Sequence, residues 1–520
     1  MTSSRHYDAI VVGGGHNGLV CAAVLAGSGR KVLVLEAASE VGGALRGWEF
    51  APGFRSPGLA PVLNRLHGEV IKALDLKRHG LAFPVGDLPS TTVLAEGGDP
   101  LILNGAYGER LAGASATEGA AWTALRAQLL RHAGILKPFL FRPPPSLGGQ
   151  DWKELFALAG SGLALKRLGA DEMRDFLRML LTNVADVADE HLSDDRLKGL
   201  LAFDATLGAH LGPRSPTSLL GLYFRLTGDV DGVEAAQMMP VGGMAAFASA
   251  LWAAAKAKGV EIRTGARVGR ILVENARATG VELESGEVIS ARTVISAANP
   301  VTTFLGLVGV RHLDAGFVTR LRKIRMAGNV ARLTLALDGM PELGSGPNGR
   351  FVIAPSVDHV ERGFNPAKYG ELSAEPLMEF TLPSVVDRTL APEGGAVLAA
   401  NVQFAPYRLR EGWDAGRPRL EAAVLAQLER HVPGISRLIR HVELLAPPDM
   451  EGRFGMPGGH WHHGELQADQ MLVSRPLFGA ERYDTPVGGL FLCSAGSHPG
   501  GGISGAPGLN AARRVIDMRQ

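Results

Sequence analysis

The stretch YDAIVVGGGHNGLVCAAVLAGSGRKVLVLE, Tyr7 to Glu36, decides the reading of this chain. Tyr7 to Val12 is a short apolar run of the kind that forms a strand buried in a parallel sheet. Gly13, Gly15 and Gly18 follow in a G-x-G-x-x-G frame and lead into an apolar helix ended by glycine. Lys31 to Leu35 gives a second strand, and Glu36 closes it. Each part has a mechanical reason. Gly13 permits the sharp turn out of the strand, Gly15 lets backbone approach a pyrophosphate, and Gly18 lets helix and strand pack closely. The helix N-terminus offers free N–H groups and positive dipole to phosphates. A carboxylate at the end of the second strand accepts hydrogen bonds from a ribose diol. A glycine-rich turn without a ligand would leave the conjunction of strand, helix, second strand and acid unexplained, so this unit is assigned to a dinucleotide.

Beyond the acid the chain reads AASEVGGALRG, with Gly42, Gly43 and Ala44 in sequence. A nicotinamide dehydrogenase has no need of a glycine pair there. N-G-L, L-E and G-G at these spacings resemble the FAD-binding oxidoreductases related to amine oxidases and phytoene desaturases. The resemblance implies non-covalent FAD, with Gly42, Gly43 and Ala44 passing its pyrophosphate and flavin end.

The tail GLFLCSAGSHPGGGISGAPGLNAARRVI, Gly489 to Ile516, has the order strand, glycine-crowded turn, helix. It resembles the last turn of the same family, where the chain returns to the nucleotide domain. By that resemblance Gly496, Gly501, Gly502 and Ile503 lie against the flavin, and a helix from about Ser504 points its N-terminus at the ring. Free N–H groups and the dipole there stabilise the negative charge of the reduced flavin. Gly500, Gly502 and Gly505 spell a second G-x-G-x-x-G, but too little chain follows for a second strand and acid. The strand runs on as CSAGSH without the acid that many relatives place before this turn, which agrees with the desaturase branch and disfavours a typical amine oxidase.

Between these ends the pattern changes twice. Leu76 to Val230 has helical spacing, as in DWKELFALAGSGLALKRLG and DEMRDFLRMLLTNVADVADEHL. Within it ILKPFLFRPPPSL, Ile135 to Leu147, is apolar, basic and proline-rich; a packed connection is the expectation, with membrane-surface contact the alternative. From Gln237, PVGGM, a helix, two strands, a hairpin and VISAANP resemble the family's second flavin segment, which implies that backbone at Val268 meets the adenine. ARLTLALDG, RFVIAP, PLMEFTLPS and AVLAANVQFAP are strands of a mixed sheet. With MPGGHWHHGELQADQMLVSRP they resemble the branch called pyridine nucleotide-disulphide oxidoreductase domain-containing protein 2 and its bacterial relatives. The expected fold is α/β: a two-domain flavoprotein in which a Rossmann-type FAD-binding domain interleaves with a substrate domain of mixed sheet and helices. Its segments are 1–75, 236–300 and 485–520 for FAD, 76–235 for a helical substrate region and 301–484 for the substrate domain.

Composition narrows the function further. The 53 Lys and Arg against 52 Asp and Glu leave no basic stripe for a phosphate backbone, so no nucleic acid is expected. The two cysteines, Cys21 and Cys493, form no C-x-x-C, which removes a disulphide reductase cycle and a multi-cysteine metal site. No apolar segment precedes the first strand, so no secretory signal is expected and the location is intracellular, cytoplasmic or at a membrane periphery. FAD carries hydride transfer itself, so few acid–base residues are needed. His463, in GGHWHHGE, and His498, in the flavin turn, are the candidates beside the reaction; His460 and His462 lack the further ligands of a metal site, and none is expected. The expected activity is removal of two hydrogens from a hydrophobic small molecule. An amine oxidase-type flavoenzyme, or a flavoprotein whose main role is to bind a protein partner, are the alternatives.

Overall fold

The computed structural model describes residues 6–84, 86–95, 98–145, 162–163 and 165–518. The chain opens with β1 (His6–Val12), α1 (His16–Gly27) and β2 (Val32–Leu35). Next come β3 (Ser90–Thr92), β4 (Ile102–Asn104), β5 (Arg110–Ala112) and the helices α2 (Ala116–Leu140), α3 (Ala170–Leu181), α4 (Val184–His191), α5 (Asp195–Thr206) and α6 (Leu219–Leu226). Then follow α7 (Gly243–Ala257), β6 (Glu261–Arg263), β7 (Val268–Glu274), β8 (Arg277–Leu283) and β9 (Val288–Ser296). The last part holds β10 (Val330–Leu337), β11 (Arg350–Ile353), β12 (Leu377–Thr381), β13 (Ala396–Gln403), α8 (Trp413–His431), β14 (Ile439–Leu445), α9 (Pro447–Phe454), β15 (Leu490–Leu492) and α10 (Ala506–Asp517).

Two large sheets organise these elements. The first runs β6-β2-β1-β9-β8-β7, with β15 also paired to β9. β1 is parallel to β2 and β9, and β15 is parallel to β9, so strands from the start, the middle and the end of the chain share one sheet. β2 is buried at all four positions, as its unbroken apolar run requires. α1 packs between this sheet and the helices α7 and α10, through Leu19, Leu25, Phe247, Leu251 and Leu509. Two glycines set how near it comes. A Cβ on Gly18 would lie 2.1 Å from the Gly13 carbonyl oxygen, and one on Gly508 would lie 2.2 Å from the Asn17 carbonyl oxygen.

The second sheet runs β14-β10-β13-β12-β11-β3-β4-β5. The four strands expected between residues 331 and 405 are its centre. The region expected to be helical adds three further strands, β3 to β5, at one edge, because β3 finds a parallel partner in β11. The stretch of helical spacing at 171–192 forms α3 and α4, whereas residues 151–161 and 164 of DWKELFALAGSGLALKRLG lie outside the described residues. In Ile135–Pro145, Ile135 and Leu140 are buried and Phe141 lies with its ring centroid 3.7 Å from that of His67. Ser146 and Leu147 are outside the described residues. Among the described residues no helix is long and apolar enough to cross a membrane.

Candidate functional site

A cavity of about 530 Å³ runs from the C-terminal ends of β1 and β2 to the second sheet. At one end stand Glu36, Ala38, Arg267 and Val268. Glu36 Oε2 accepts from the Gly14 N–H (2.7 Å) and Oε1 from the Ala38 N–H (2.8 Å), which fixes the carboxylate at the cavity wall. Val268 opens β7, is 8 % exposed and stands at the cavity wall.

Next comes the glycine turn. Gly13 has φ +105° and its N–H donates to the Leu35 carbonyl (2.8 Å). Gly42 N–H donates to the Gly14 carbonyl (2.9 Å), and a Cβ on Gly43 would stand 3.1 Å from Gly15 Cα. The second glycine pair thus braces the first turn. Gly13, Gly15, Gly18, Gly43 and Ala44 line the cavity, while Gly42 sits behind them. No side chain caps the N-terminus of α1, whose first N–H groups open beside Gly15. His16, its first residue, is half-buried, its shielded Nε2 has no hydrogen-bond partner among the described residues, and desolvation lowers its pKa to about 4.

The tail turn closes the middle of the cavity. Gly502 and Ile503 line it; both have positive φ, +101° and +57°. α10 begins at Ala506 behind a left-handed Gly505, two residues later than the expected Ser504. Gly501 and Gly496 serve as packing positions. A Cβ on Gly501 would fall 2.4 Å from His462 Nδ1, and one on Gly496 would fall 2.3 Å from Pro300 Cδ. Opposite the turn stand Trp461, His462 and His463. His463 is in the left-handed region (φ +57°), where its N–H donates to the His460 carbonyl (2.8 Å). Burial first, then the Arg475 charge, lowers its pKa to about 3, so its ring is neutral. His498 is fully buried and off the cavity wall. Its Nε2 lies 2.7 Å from the Phe139 carbonyl, and burial lowers its pKa to about 4.

Sequence reasoning passed over Arg65. It is 2 % exposed, lines the cavity and donates from Nη1 to the Phe224 carbonyl (2.6 Å). Among the described residues Nε and Nη2 have no hydrogen-bond partner, the guanidinium lies 3.3 Å from the Phe224 ring centroid, and burial lowers its pKa to about 9. A single arginine in a loop carries no sequence signal of burial. Also unforeseen is the far wall, where Asp204, Arg225, Arg350, Glu379 and Asn401 line the cavity. Among the described residues no group of three or more His, Cys, Asp or Glu is placed to hold a metal ion. Cys21 and Cys493, far apart in sequence, meet in the core; their mutual hydrogen bond and burial hold the Cys493 thiol well above the usual range.

These residues fit FAD. The bare helix N-terminus, the glycines open to the cavity, the oriented Glu36 carboxylate and the unpartnered Arg65 donors supply what a diphosphate, a ribose and a flavin require. Fold and cavity together define an FAD-dependent oxidoreductase. The model of the flavin-containing amine oxidoreductases matches residues 18–303, and the chain belongs to that family. It is 32 % identical to pyridine nucleotide-disulfide oxidoreductase domain-containing protein 2 of Rattus norvegicus, across 98 % of this chain and 93 % of the relative. It is 28 % identical to the neurosporene-forming phytoene desaturase of Cereibacter sphaeroides, across 61 % of this chain and 60 % of that enzyme. An oxidoreductase from Methanosarcina mazei shares the fold, with a TM-score of 0.61 at 17 % identity over 99 % of this chain and 100 % of that one.

Proposed function

We propose that the protein removes two hydrogens from a small organic molecule with a largely hydrophobic body, using FAD bound non-covalently by segments 1–75, 236–300 and 485–520. The observation that carries this reading is the single cavity that joins the Glu36 and Gly15 end to walls formed by Leu59, Val62, Leu207, Phe454, Met456 and Leu466. When bound, FAD supplies the two-electron acceptor. Glu36 holds the adenosine ribose, and the N–H groups at the start of α1 hold the diphosphate. Gly502 and Ile503 present backbone to the flavin edge, where Arg65 adds positive charge. The neutral His463 orients substrate or ring by hydrogen bonding, and with a pKa of about 3 it does not store a proton at neutral pH. The apolar walls exclude water from the reacting carbon. The buried, proton-holding Cys493 favours non-covalent attachment.

Anaerobic titration of the yellow protein tests this directly. Bleaching of the flavin band by an alkene, alcohol or terpenoid panel, and not by amines, is the expected result. Bleaching by amines alone would assign amine oxidation instead. An oxidised spectrum that no compound changes would favour a partner-binding flavoprotein.

A further inference from the structure

His463 lines the cavity from a stretch that is neither helix nor strand. Carbonyls in such a stretch have no ladder partners, so buried ones need donors from elsewhere. The successive carbonyls from His462 to Glu465 find them in two side chains. Arg475 Nη2 donates to the carbonyls of His462 (2.5 Å) and Gly464 (3.3 Å), and Nη1 to that of Glu465 (2.9 Å). Asn299 Nδ2 donates to the His463 carbonyl between them (3.3 Å). Arg475 and Asn299 are both buried.

The same guanidinium reaches the tail. Nη2 also donates to the Ala495 carbonyl (3.1 Å), where the chain leaves β15 for the flavin turn. A Cβ on Gly500 would stand 3.3 Å from Arg475 Nε, and one on Gly501 would fall 2.4 Å from His462 Nδ1. His462, His463 and Ala495 all line the cavity, so Arg475 ties two of its walls together.

Burying a cation is costly, and carbonyl dipoles offset that cost only where the geometry is good. What arginine adds is a planar fork, which aims several donors at separate chain segments in fixed directions; a lysine ammonium is a point charge on a flexible stem. The fork therefore supplies precision of place. The segment it places carries His463 at φ +57°, a backbone conformation that a non-glycine residue keeps only where its surroundings impose it.

We infer that Arg475, with Asn299, is a positioning residue for the flavin reaction: it pins the His462–Glu465 loop to the tail turn, so that the His463 ring keeps one place beside the flavin. The inference rests on the flavin reading of the same cavity and deepens it by naming what holds the wall against the ring.

Visible circular dichroism of the FAD-loaded protein, which reports the asymmetry around the flavin, tests it together with the flavin reduction potential. Arg475→Lys keeps the charge and loses the fork. It should change the dichroism and shift the potential, and so should His463→Ala. The double variant should shift no further than His463→Ala alone, because no ring is left to misplace. Asn299→Ser keeps a short acceptor for the Val301 N–H, which Asn299 Oδ1 now serves (2.8 Å), and frees only the His463 carbonyl. It should move both signals in the same direction as Arg475→Lys, and it decides the question by itself if the lysine variant does not fold. Wild-type dichroism and potential in either folded variant would overturn the inference, as would effects of Arg475→Lys and His463→Ala that simply add. Flavin content of the same samples reports on the cofactor separately: a flavin-loaded protein whose signals ignore Arg475 sinks this inference and leaves the oxidoreductase reading intact, whereas wild-type protein that takes up no FAD sinks both.

Discussion

Gly502 and Arg65 meet at the cavity wall, so closely that a Cβ on Gly502 would stand 2.9 Å from Arg65 Cδ. The turn and the buried guanidinium therefore hold each other in place. Gly502 also has φ +101°, which side chains rarely adopt. Gly502→Val should push Arg65 aside and lower the flavin reduction potential, because the reduced ring loses positive surroundings. Each roughly 1.4 kcal/mol corresponds to about 30 mV for a two-electron couple. Arg65→Met should act in the same direction without straining the turn. Redox titration against dyes of known potential reads both; unchanged potentials in folded, FAD-loaded variants would make the pair purely structural.

Glu36 accepts two backbone N–H bonds and faces the cavity, so its carboxylate is fixed before any ribose arrives. Glu36→Ala should weaken FAD binding by about 1.5–3 kcal/mol, or roughly 10- to 150-fold in Kd. Flavin-to-protein ratios at limiting FAD give the answer, and full occupancy would contradict the assigned role.

His16, His463 and His498 have pKa values lowered to about 4, 3 and 4 by burial. Each is neutral in the folded protein at neutral pH but takes up a proton near 6.5 once unfolded. The unfolded chain therefore binds more protons between pH 6.5 and about 4, and stability falls as pH drops through that window. One such group accounts for a loss on the order of 3 kcal/mol. His498→Gln keeps a donor near the Phe139 carbonyl and removes the titration. Melting temperatures measured from pH 7 to 4 should fall less steeply in that variant; parallel curves would show that His498 does not titrate as buried.

Arg350 joins Asp204 and Glu379 across the polar face of the second sheet. Arg350→Met would take the shared cation from buried Asp204 and half-buried Glu379, leaving Arg225 beside the first and Asn401 on the second, and should cost about 3 kcal/mol by chemical denaturation. Adding Asp204→Asn should recover part of that loss, since one of the two negative charges is then gone. A double variant no more stable than the single would place the cost in packing instead.

The nucleotide end of this protein was legible in its sequence because its signals are local. Gly13, Gly18 and Glu36 act through turn geometry, helix packing and strand length, all set by nearby residues. The tail was legible for the same reason, up to the strand–turn–helix order around Gly502. The alternation in ARLTLAL is equally local, but it states only that Arg332 and Thr334 share a face opposite the leucines. An alternating strand with one polar face ordinarily leaves that face to water. Here the tertiary fold covers it, with α5, α6, α9 and the nucleotide domain enclosing a cavity against it. Whether a polar face is solvated or buried depends on what packs over it from hundreds of residues away, and no local pattern encodes that. The same holds for Arg65, an unremarked loop arginine until Phe224 and Gly502 close around it, and for His498, whose place in the flavin turn proved to face Phe139 instead of the cavity. Short-range sterics let the sequence determine the dinucleotide fold; long-range burial, which turns ordinary arginines into unsatisfied cations, decided the chemistry of the cavity.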